Sequence, residues 1–110
     1  MKVLSIENIK IVGKNQKYYK NFALTNEYRN FKKEIEYCIV KPSEKILRPY
    51  RVTIEFTMYH DIDAPVQTIL DALESAGIID NDRYITELNI VKNTTKRGKP
   101  GAVECWVHGH

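Results

Sequence analysis

The sequence predicts a single α+β domain in which two helices pack on one mixed β-sheet, in the order β-α-β-α-β-β. The chain has 110 residues, a length typical of one domain with a modest core. Strand-like and helix-like hydrophobic periods alternate until the second helix, and two further strand-like runs follow it. No repeat, low-complexity tract or linker interrupts this pattern. We therefore expect one compact domain over residues 1–110.

The first strand and the first helix each have a clear local pattern. The opening run VLSIENIKIV is rich in β-branched residues and predicts the first strand. A helical period of apolar residues starts at Tyr28, with Thr25 or Asn26 as its N-cap. Pro42 follows closely, so this helix should end near Val40.

The second strand gives the strongest signal in the chain. In YRVTIEFTMYH apolar and polar residues alternate strictly, and one face carries Val52, Ile54, Phe56 and Met58. An amphipathic helix is predicted from about Ala64 to Ala76, with Gly77 suited to its C-terminal αL position. The runs RYITELNIVK and AVECWV predict two more strands, which the basic loop NTTKRGKPG connects.

Composition argues against several classes of protein. No apolar run of about 18 residues is present, and the N-terminus lacks the apolar region of a signal peptide. These features predict a soluble, cytoplasmic protein without membrane contact. Two cysteines in such a chain do not indicate a disulfide framework, and we expect both to be small buried residues. The cysteines and histidines also lack the spacing of a zinc site.

Charge is distributed unevenly along the chain, whose net charge is +3. Residues 1–52 contain twelve Lys or Arg and five acids, whereas residues 53–110 contain five Lys or Arg and nine acids. The basic half suggests a surface that attracts a polyanion, and the acidic half suggests a site that holds cations. A solvated basic surface would account for the same totals, so charge alone does not establish nucleic-acid binding.

Three aspartates flank the second predicted helix. Asp61 and Asp63 are two residues apart at the end of a strand, so their side chains can project to the same side. Two of the three also have an ordinary alternative role: Asp63 precedes Ala-Pro and fits an N-cap, and Asp82 together with Asp80 fits a turn. Asp61 has less structural reason to be acidic. If the flanking strands are neighbours, the three carboxylates can meet. Oxygen ligands of this kind favour Mg²⁺ or Mn²⁺ over zinc.

The stretch from Asp61 to Lys92 resembles the RusA family of Holliday-junction resolvases, small homodimeric endodeoxyribonucleases of bacteria and their phages. The resemblance rests on the Asp-x-Asp pair, the helix ending in DALESAG, the turn ending in Asp82 and the following NIVK. The upstream segment KNQKYYKN is similar to the family's early Asn- and Tyr-bearing segment. The match is ungapped over residues 61–92 and looser at both ends.

This resemblance implies a Mg²⁺-dependent homodimer that cuts four-way DNA junctions. Asp61, Asp63 and Asp82 fall on the family's metal-binding positions, which activate water for in-line attack on a phosphodiester. The family has Asn directly after the second Asp and Lys four residues after it, whereas this chain has Ala64 and Gln67. Gln67 can donate hydrogen bonds but carries no charge. Either another cation replaces the family's lysine at the catalytic site, or the enzyme is slow, specialised or inactive.

Two groups of residues predict contacts with the DNA backbone. The first mixes lysines with a tyrosine suited to stacking on unpaired bases and comprises Lys14, Lys17, Tyr18 and Lys20. The second lies at the end of the third strand and in the loop after it and comprises Lys92, Lys96, Arg97 and Lys99. Each group can equally be a solvated surface. Three hypotheses remain: a structure-selective endonuclease, a non-catalytic junction-binding protein, and an α+β module unrelated to DNA.

Overall fold

A computed structural model describes residues 1–12 and 25–109 of the chain. In chain order its elements are β1 (Lys2–Ile9), α1 (Asn26–Cys38), β2 (Tyr50–Met58), α2 (Asp63–Ser75), β3 (Ile85–Thr94) and β4 (Gly101–His108). A short 3₁₀ turn, Asp82–Tyr84, directly precedes β3 and delays its start relative to the sequence prediction. The predicted α+β class and element order are confirmed.

The four strands form one mixed sheet in the order β1-β4-β2-β3. β4 is antiparallel to both of its neighbours, and β2 is parallel to β3. β1, β2 and β3 therefore run in the same direction and finish at the same end of the sheet, which we call the C-terminal end. Tyr50 pairs with Ile85 at the opposite end, and Met58 pairs with Thr94 at the C-terminal end.

The N-terminus of α1 is held by the predicted cap. The Thr25 hydroxyl accepts a hydrogen bond of 3.1 Å from the backbone N–H of Tyr28, which satisfies one of the unpaired donors of the first turn. Tyr28, Phe31 and Ile35 are buried, as their helical spacing predicts. The Tyr28 hydroxyl also lies 3.1 Å from the Thr68 hydroxyl of α2, so a buried hydrogen bond joins the two helices.

The hydrophobic core lies between the helices and one face of the sheet. The strict alternation of β2 is confirmed, because Val52, Ile54, Phe56 and Met58 are all buried. Ile69 and Leu73 of α2 pack into the same core cluster. The other face of β2 carries the half-buried Thr53, Glu55 and Thr57. Neither α1 nor α2 covers that face, so in the described part of the chain the sheet has one covered face and one open face.

The two cysteines are both free, and their environments differ. Cys105 is buried in β4, as expected, whereas Cys38 at the end of α1 is only half-buried. Burial raises the pKa of the Cys105 thiol to about 12, although the nearby N-terminal ammonium opposes this shift. The Cys105 thiol is therefore protonated at neutral pH and is not a nucleophile.

The lengths and hydropathies of the helices were compared with those that a membrane span requires. Over residues 1–12 and 25–109, no helix is long and apolar enough to cross a bilayer.

Candidate functional site

Asp61 and Asp63 lie together at the C-terminal end of the sheet, where the chain passes from β2 into α2. Both are exposed, and Asp63 is the first residue of α2. The capping alternative for Asp63 is wrong, because Ile62 occupies the N-cap position and no side chain caps the helix. Neither carboxylate has a hydrogen-bond or ion-pair partner among the described residues. Both are therefore available to a ligand.

Asp82 is the first residue of the 3₁₀ turn before β3, and it is also exposed. The side chains of its neighbours stabilise this region instead. Asn81 accepts a hydrogen bond of 3.0 Å from the N–H of Arg83, and the Asp80 carboxylate lies 3.8 Å from the Lys45 ammonium. The Asp82 carboxylate has no such partner within the described ranges. Its own side chain therefore does not hold the turn.

The expectation that the three aspartates meet within one chain is wrong. Asp82 precedes Ile85, which pairs with Tyr50 at the start of β2, whereas Asp61 follows the end of β2. A strand rises about 3.3 Å per residue, so the length of β2 alone separates Asp82 from Asp61 by at least about 25 Å. The physical cause is the parallel β2-α2-β3 connection, which returns the chain to the opposite end of the sheet. The metal-binding roles of the three residues remain predictions.

A cleft of about 500 Å³ opens at the C-terminal end of the sheet, and its lining includes His60, the residue before Asp61, but neither Asp61 nor Asp63. Residues from three separate segments line it: Lys10, Ile11, Met58, Tyr59, His60, Arg97, Gly98, Lys99, Pro100 and Gly101. Three of these side chains are Lys or Arg, and none is Asp or Glu. The cleft is therefore lined by basic residues, and we call it the basic cleft. Its lining residue His60 is followed in the chain by the exposed acidic pair Asp61 and Asp63.

The loop between β3 and β4 forms one wall of the basic cleft. It crosses over the end of β2, because β4 pairs with β2 on the side away from β3. The N–H of Thr95 donates a hydrogen bond of 3.1 Å to the Met58 carbonyl and anchors the start of this crossing. Gly98 has a φ of 82°, a left-handed conformation that favours glycine at the loop's turn. These features place Arg97 and Lys99 at the cleft.

The remaining predicted DNA contacts divide into three cases. Lys92 lies beside the end of β2, where its ammonium donates a hydrogen bond of 3.3 Å to the Tyr59 carbonyl. Lys96 is exposed in the same loop but does not line the basic cleft. The other predicted contacts lie outside the described residues: Lys14, Lys17, Tyr18 and Lys20.

Gln67 is exposed on α2, one helical turn after Asp63. Its side-chain amide donates a hydrogen bond of 2.8 Å to the Asp71 carboxylate, one turn further along. A residue at position 67 therefore lies between two acidic neighbours on the same helix face.

Sequence reasoning missed two residues of the basic cleft, Lys10 and His60. Lys10 directly follows β1, and His60 follows β2 and contacts the Tyr59 ring at 5.4 Å between centroids. Each lies where a strand ends, but only the strand order shows that β1 and β2 finish at the same end of the sheet. The local sequence contains no signal for that proximity.

If the basic cleft binds DNA, removing its cations should lower the affinity of the protein for a four-way junction. Replacing both Arg97 and Lys99 with alanine should weaken binding to a four-way junction about 10- to 100-fold, because two phosphate contacts are lost. The slope of log affinity against log salt should fall by about two. Fluorescence anisotropy over a salt series measures both quantities. The matched control is Lys32→Ala with Lys33→Ala on exposed positions of α1; an equal loss there would contradict a specific cleft.

No protein-family model matches this chain, and no curated protein matches its sequence.

Proposed function

We propose that this protein is a Mg²⁺- or Mn²⁺-dependent endonuclease that recognises branched DNA, such as a four-way junction, and cuts its phosphodiester backbone in the cytoplasm. One juxtaposition supports this proposal best. The unpaired carboxylates of Asp61 and Asp63 directly follow the strand end that lines the basic cleft. A phosphodiester needs cations for binding, and its hydrolysis needs a bound cation and an activated water at the same place.

The chemistry of Asp61 and Asp63 fits Mg²⁺. This ion is commonly held by one or two carboxylates together with waters and substrate phosphate, so a pair of exposed aspartates suffices for a weak site. When bound, the ion supplies charge neutralisation and activation of water.

The remaining residues of the site bind and orient the DNA. Lys10, Arg97 and Lys99 offer their charges to the phosphates of a strand entering the basic cleft. The Lys10 ammonium also lies 3.1 Å from the Glu27 carboxylate, an exposed ion pair that a phosphate would have to displace. His60 is half-buried and lines the same cleft, where its imidazole can hydrogen-bond to a phosphate oxygen or a water. No side chain in this set is arranged to distinguish bases, so recognition relies on phosphate positions and DNA shape.

The separation of Asp82 from the other two aspartates favours a second candidate. If the protein binds DNA as a monomer, only Asp61 and Asp63 of the three predicted metal ligands lie near the basic cleft. Such a protein would bind junctions through the cleft without cutting them. The same basic residues would then account for its whole function.

One assay separates these candidates. Purified protein is incubated with an end-labelled four-way junction, with and without Mg²⁺ or Mn²⁺, beside a linear duplex of the same sequence and the Asp61→Asn variant. Metal-dependent, symmetric nicks in the junction that the variant fails to make support the endonuclease. Tight junction binding with no cleavage in either metal supports the binding protein, and equal affinity for the linear duplex contradicts both.

The position of Gln67 gives a further prediction. Gln67→Lys should change junction cleavage by less than about threefold, because Lys10, Arg97 and Lys99 already supply cations beside the phosphate. The new lysine would also be drawn to Asp63 and Asp71, one turn away on either side. Single-turnover cleavage rates measure the effect, with Gln67→Met as a neutral control of similar size. A rise of tenfold or more for lysine alone would show that a missing cation limits the rate.

A further inference from the structure

The basic cleft has an apolar back and a charged rim. Ile11 and Met58 belong to its lining and are only 6% and 2% exposed, so they lie at the back of the cleft. The three cations of the lining are all exposed, and we call them the rim cations: Lys10, Arg97 and Lys99. Phosphates alone need no apolar surface behind the cations that bind them. The arrangement fits a ligand that carries an apolar group beside its negative charge.

Tyr59 adds an exposed aromatic ring to this lining. The residue is 45% exposed, although it directly follows the buried Met58 at the end of β2. Its ring meets the His60 ring edge-to-face at an interplanar angle of 77°, so His60 covers at most one of its two faces. In residues 1–12 and 25–109, no other ring and no cation stacks on Tyr59. The ring therefore keeps a face for a planar ligand.

Two hydrogen bonds fix the backbone that carries this ring. The Lys92 ammonium donates a hydrogen bond of 3.3 Å to the Tyr59 carbonyl, and the N–H of Thr95 donates one of 3.1 Å to the Met58 carbonyl. Both bonds tie the end of β2 to β3 and the loop after it. The position of the Tyr59 backbone is thus set before a ligand arrives, which lowers the entropic cost of binding.

Glycines shape the wall of the cleft opposite β2. A Cβ at Gly101 would clash with the Thr57 carbonyl and with the Ile11 side chain, so only glycine lets the start of β4 approach this closely. Gly98 likewise adds no side chain to the wall. The space that remains, about 500 Å³, is of the size that holds one small organic molecule. It is large enough for one nucleotide and too small for a duplex.

A nucleotide within a DNA strand has the chemistry that this cleft matches. Its base is a planar aromatic ring that stacks on tyrosine, and its phosphates bind lysine and arginine. Inside a duplex, neighbouring base pairs cover both faces of each base, so only an unpaired base can stack on Tyr59. The number of rim cations favours a strand over a free nucleotide, because a strand has a phosphate on either side of each base.

We propose that the basic cleft holds one unpaired nucleotide of a DNA strand, with its base stacked on Tyr59 and its flanking phosphates at the rim cations. This inference rests on the proposed function for the identity of the partner as DNA. It deepens that function by narrowing the substrate class to DNA with an unpaired nucleotide. Because stacking tolerates every base, the cleft selects for an unpaired base and not for a sequence.

Three DNA probes isolate the contribution of the base. The first is a short duplex with one extra, unpaired thymidine; the second has an abasic residue in place of that thymidine; the third is fully paired. The first two probes carry the same phosphates. In EDTA, the wild-type protein should bind the thymidine probe about 5- to 100-fold more tightly than the abasic probe, the range expected for stacking of one base. Equal affinities for these two probes overturn the proposal, and this comparison needs no variant.

Variants of Tyr59 test which side chain the base contacts. Tyr59→Ala should bind the thymidine and abasic probes equally, whereas Tyr59→Phe keeps the ring and should keep the preference. The slope of log affinity against log salt should stay unchanged in Tyr59→Ala, because the ring carries no charge. The matched control is Tyr37→Ala, whose ring is 90% exposed on α1. A Tyr59→Ala variant that retains the full preference for thymidine overturns the role of Tyr59.

Competition separates a strand from a free nucleotide. A short thymidine oligonucleotide should displace the thymidine probe at least about tenfold more effectively than thymidine monophosphate, since it supplies additional phosphates to the rim cations. Equal competition would mean that the cleft holds a free nucleotide, which overturns the proposal. If the wild type binds no DNA probe, the proposed function fails as well. If it binds and nicks a four-way junction but shows no preference for thymidine over the abasic residue, only the inference about the unpaired nucleotide fails.

Discussion

Asp61→Asn is expected to lower Mg²⁺-dependent nicking of a four-way junction by more than about 100-fold. Loss of a residue that only supports a metal ligand commonly costs about 10- to 100-fold in affinity or activity, and loss of a ligand itself should cost more. The exchange keeps the shape of the side chain and removes its charge. Asp61 has no partner among the described residues, so the fold should be unaffected. Single-turnover nicking at saturating Mg²⁺ measures the loss.

The control for this prediction is Glu36→Gln, which removes one negative charge from an exposed position of α1. It should leave nicking within about twofold of the wild type, since exposed charges beyond the Debye length of about 8 Å are largely screened. Junction affinity in EDTA provides a second readout, because removing a negative charge beside the basic cleft should preserve or slightly strengthen DNA binding. Full nicking by Asp61→Asn would exclude Asp61 as a metal ligand.

Local patterns were sufficient to predict the individual elements. The alternation of polar and apolar residues in β2 depends only on the pleat, and the hydroxyl of Thr25 needs only its own helix to act as a cap. Each of these features is decided within about ten residues, and the structure confirms them. The prediction for Asp63 failed by a single residue, because the helix takes Ile62 as its N-cap. Helix boundaries are set by tertiary packing as well as by local sequence.

The relation between the aspartates depends on strand pairing, which local patterns do not determine. One general rule does bear on this relation: a strand-helix-strand unit usually gives parallel strands, and parallel strands start at the same end of the sheet. That rule alone places Asp82 far from Asp61. No comparable rule predicts that β4 lies between β1 and β2. This position of β4 makes the basic loop between β3 and β4 cross over the end of β2.

The edge position of β3 follows from the same non-local information. Its sequence contains enough apolar residues for a strand, but the residues alternate poorly because Ile90 and Val91 are adjacent. When only one face of a sheet is covered by helices, two adjacent apolar residues in a strand place one of the two side chains on the open face, where no helix covers it. Because no other strand in residues 1–12 and 25–109 pairs with the outer edge of β3, Leu88 on one face and Val91 on the other remain exposed.

Phe56→Ala should destabilise the fold by about 3–5 kcal/mol, the usual cost of deleting a buried aromatic side chain. Phe56 is 0% exposed near the C-terminal end of β2, where it pairs with Val103 of β4 on one side and Lys92 of β3 on the other. The surrounding strands are fixed by their hydrogen bonds, so the cavity can collapse only in part. A domain of this size has a total stability of about 5–15 kcal/mol, so the variant should be marginally folded at 37 °C.

Equilibrium unfolding in urea measures this difference, and Tyr37→Ala is the matched control because its ring is 90% exposed on α1. The control should shift the free energy of unfolding by no more than about 0.5 kcal/mol, since few contacts are lost. A large difference between two aromatic-to-alanine changes would show that the core lies between the helices and the covered face of the sheet. Similar effects for both variants would mean that the ring of Phe56 is not buried in the folded protein. The end of β2 would then have no rigid core beneath it to hold Asp61 beside the basic cleft.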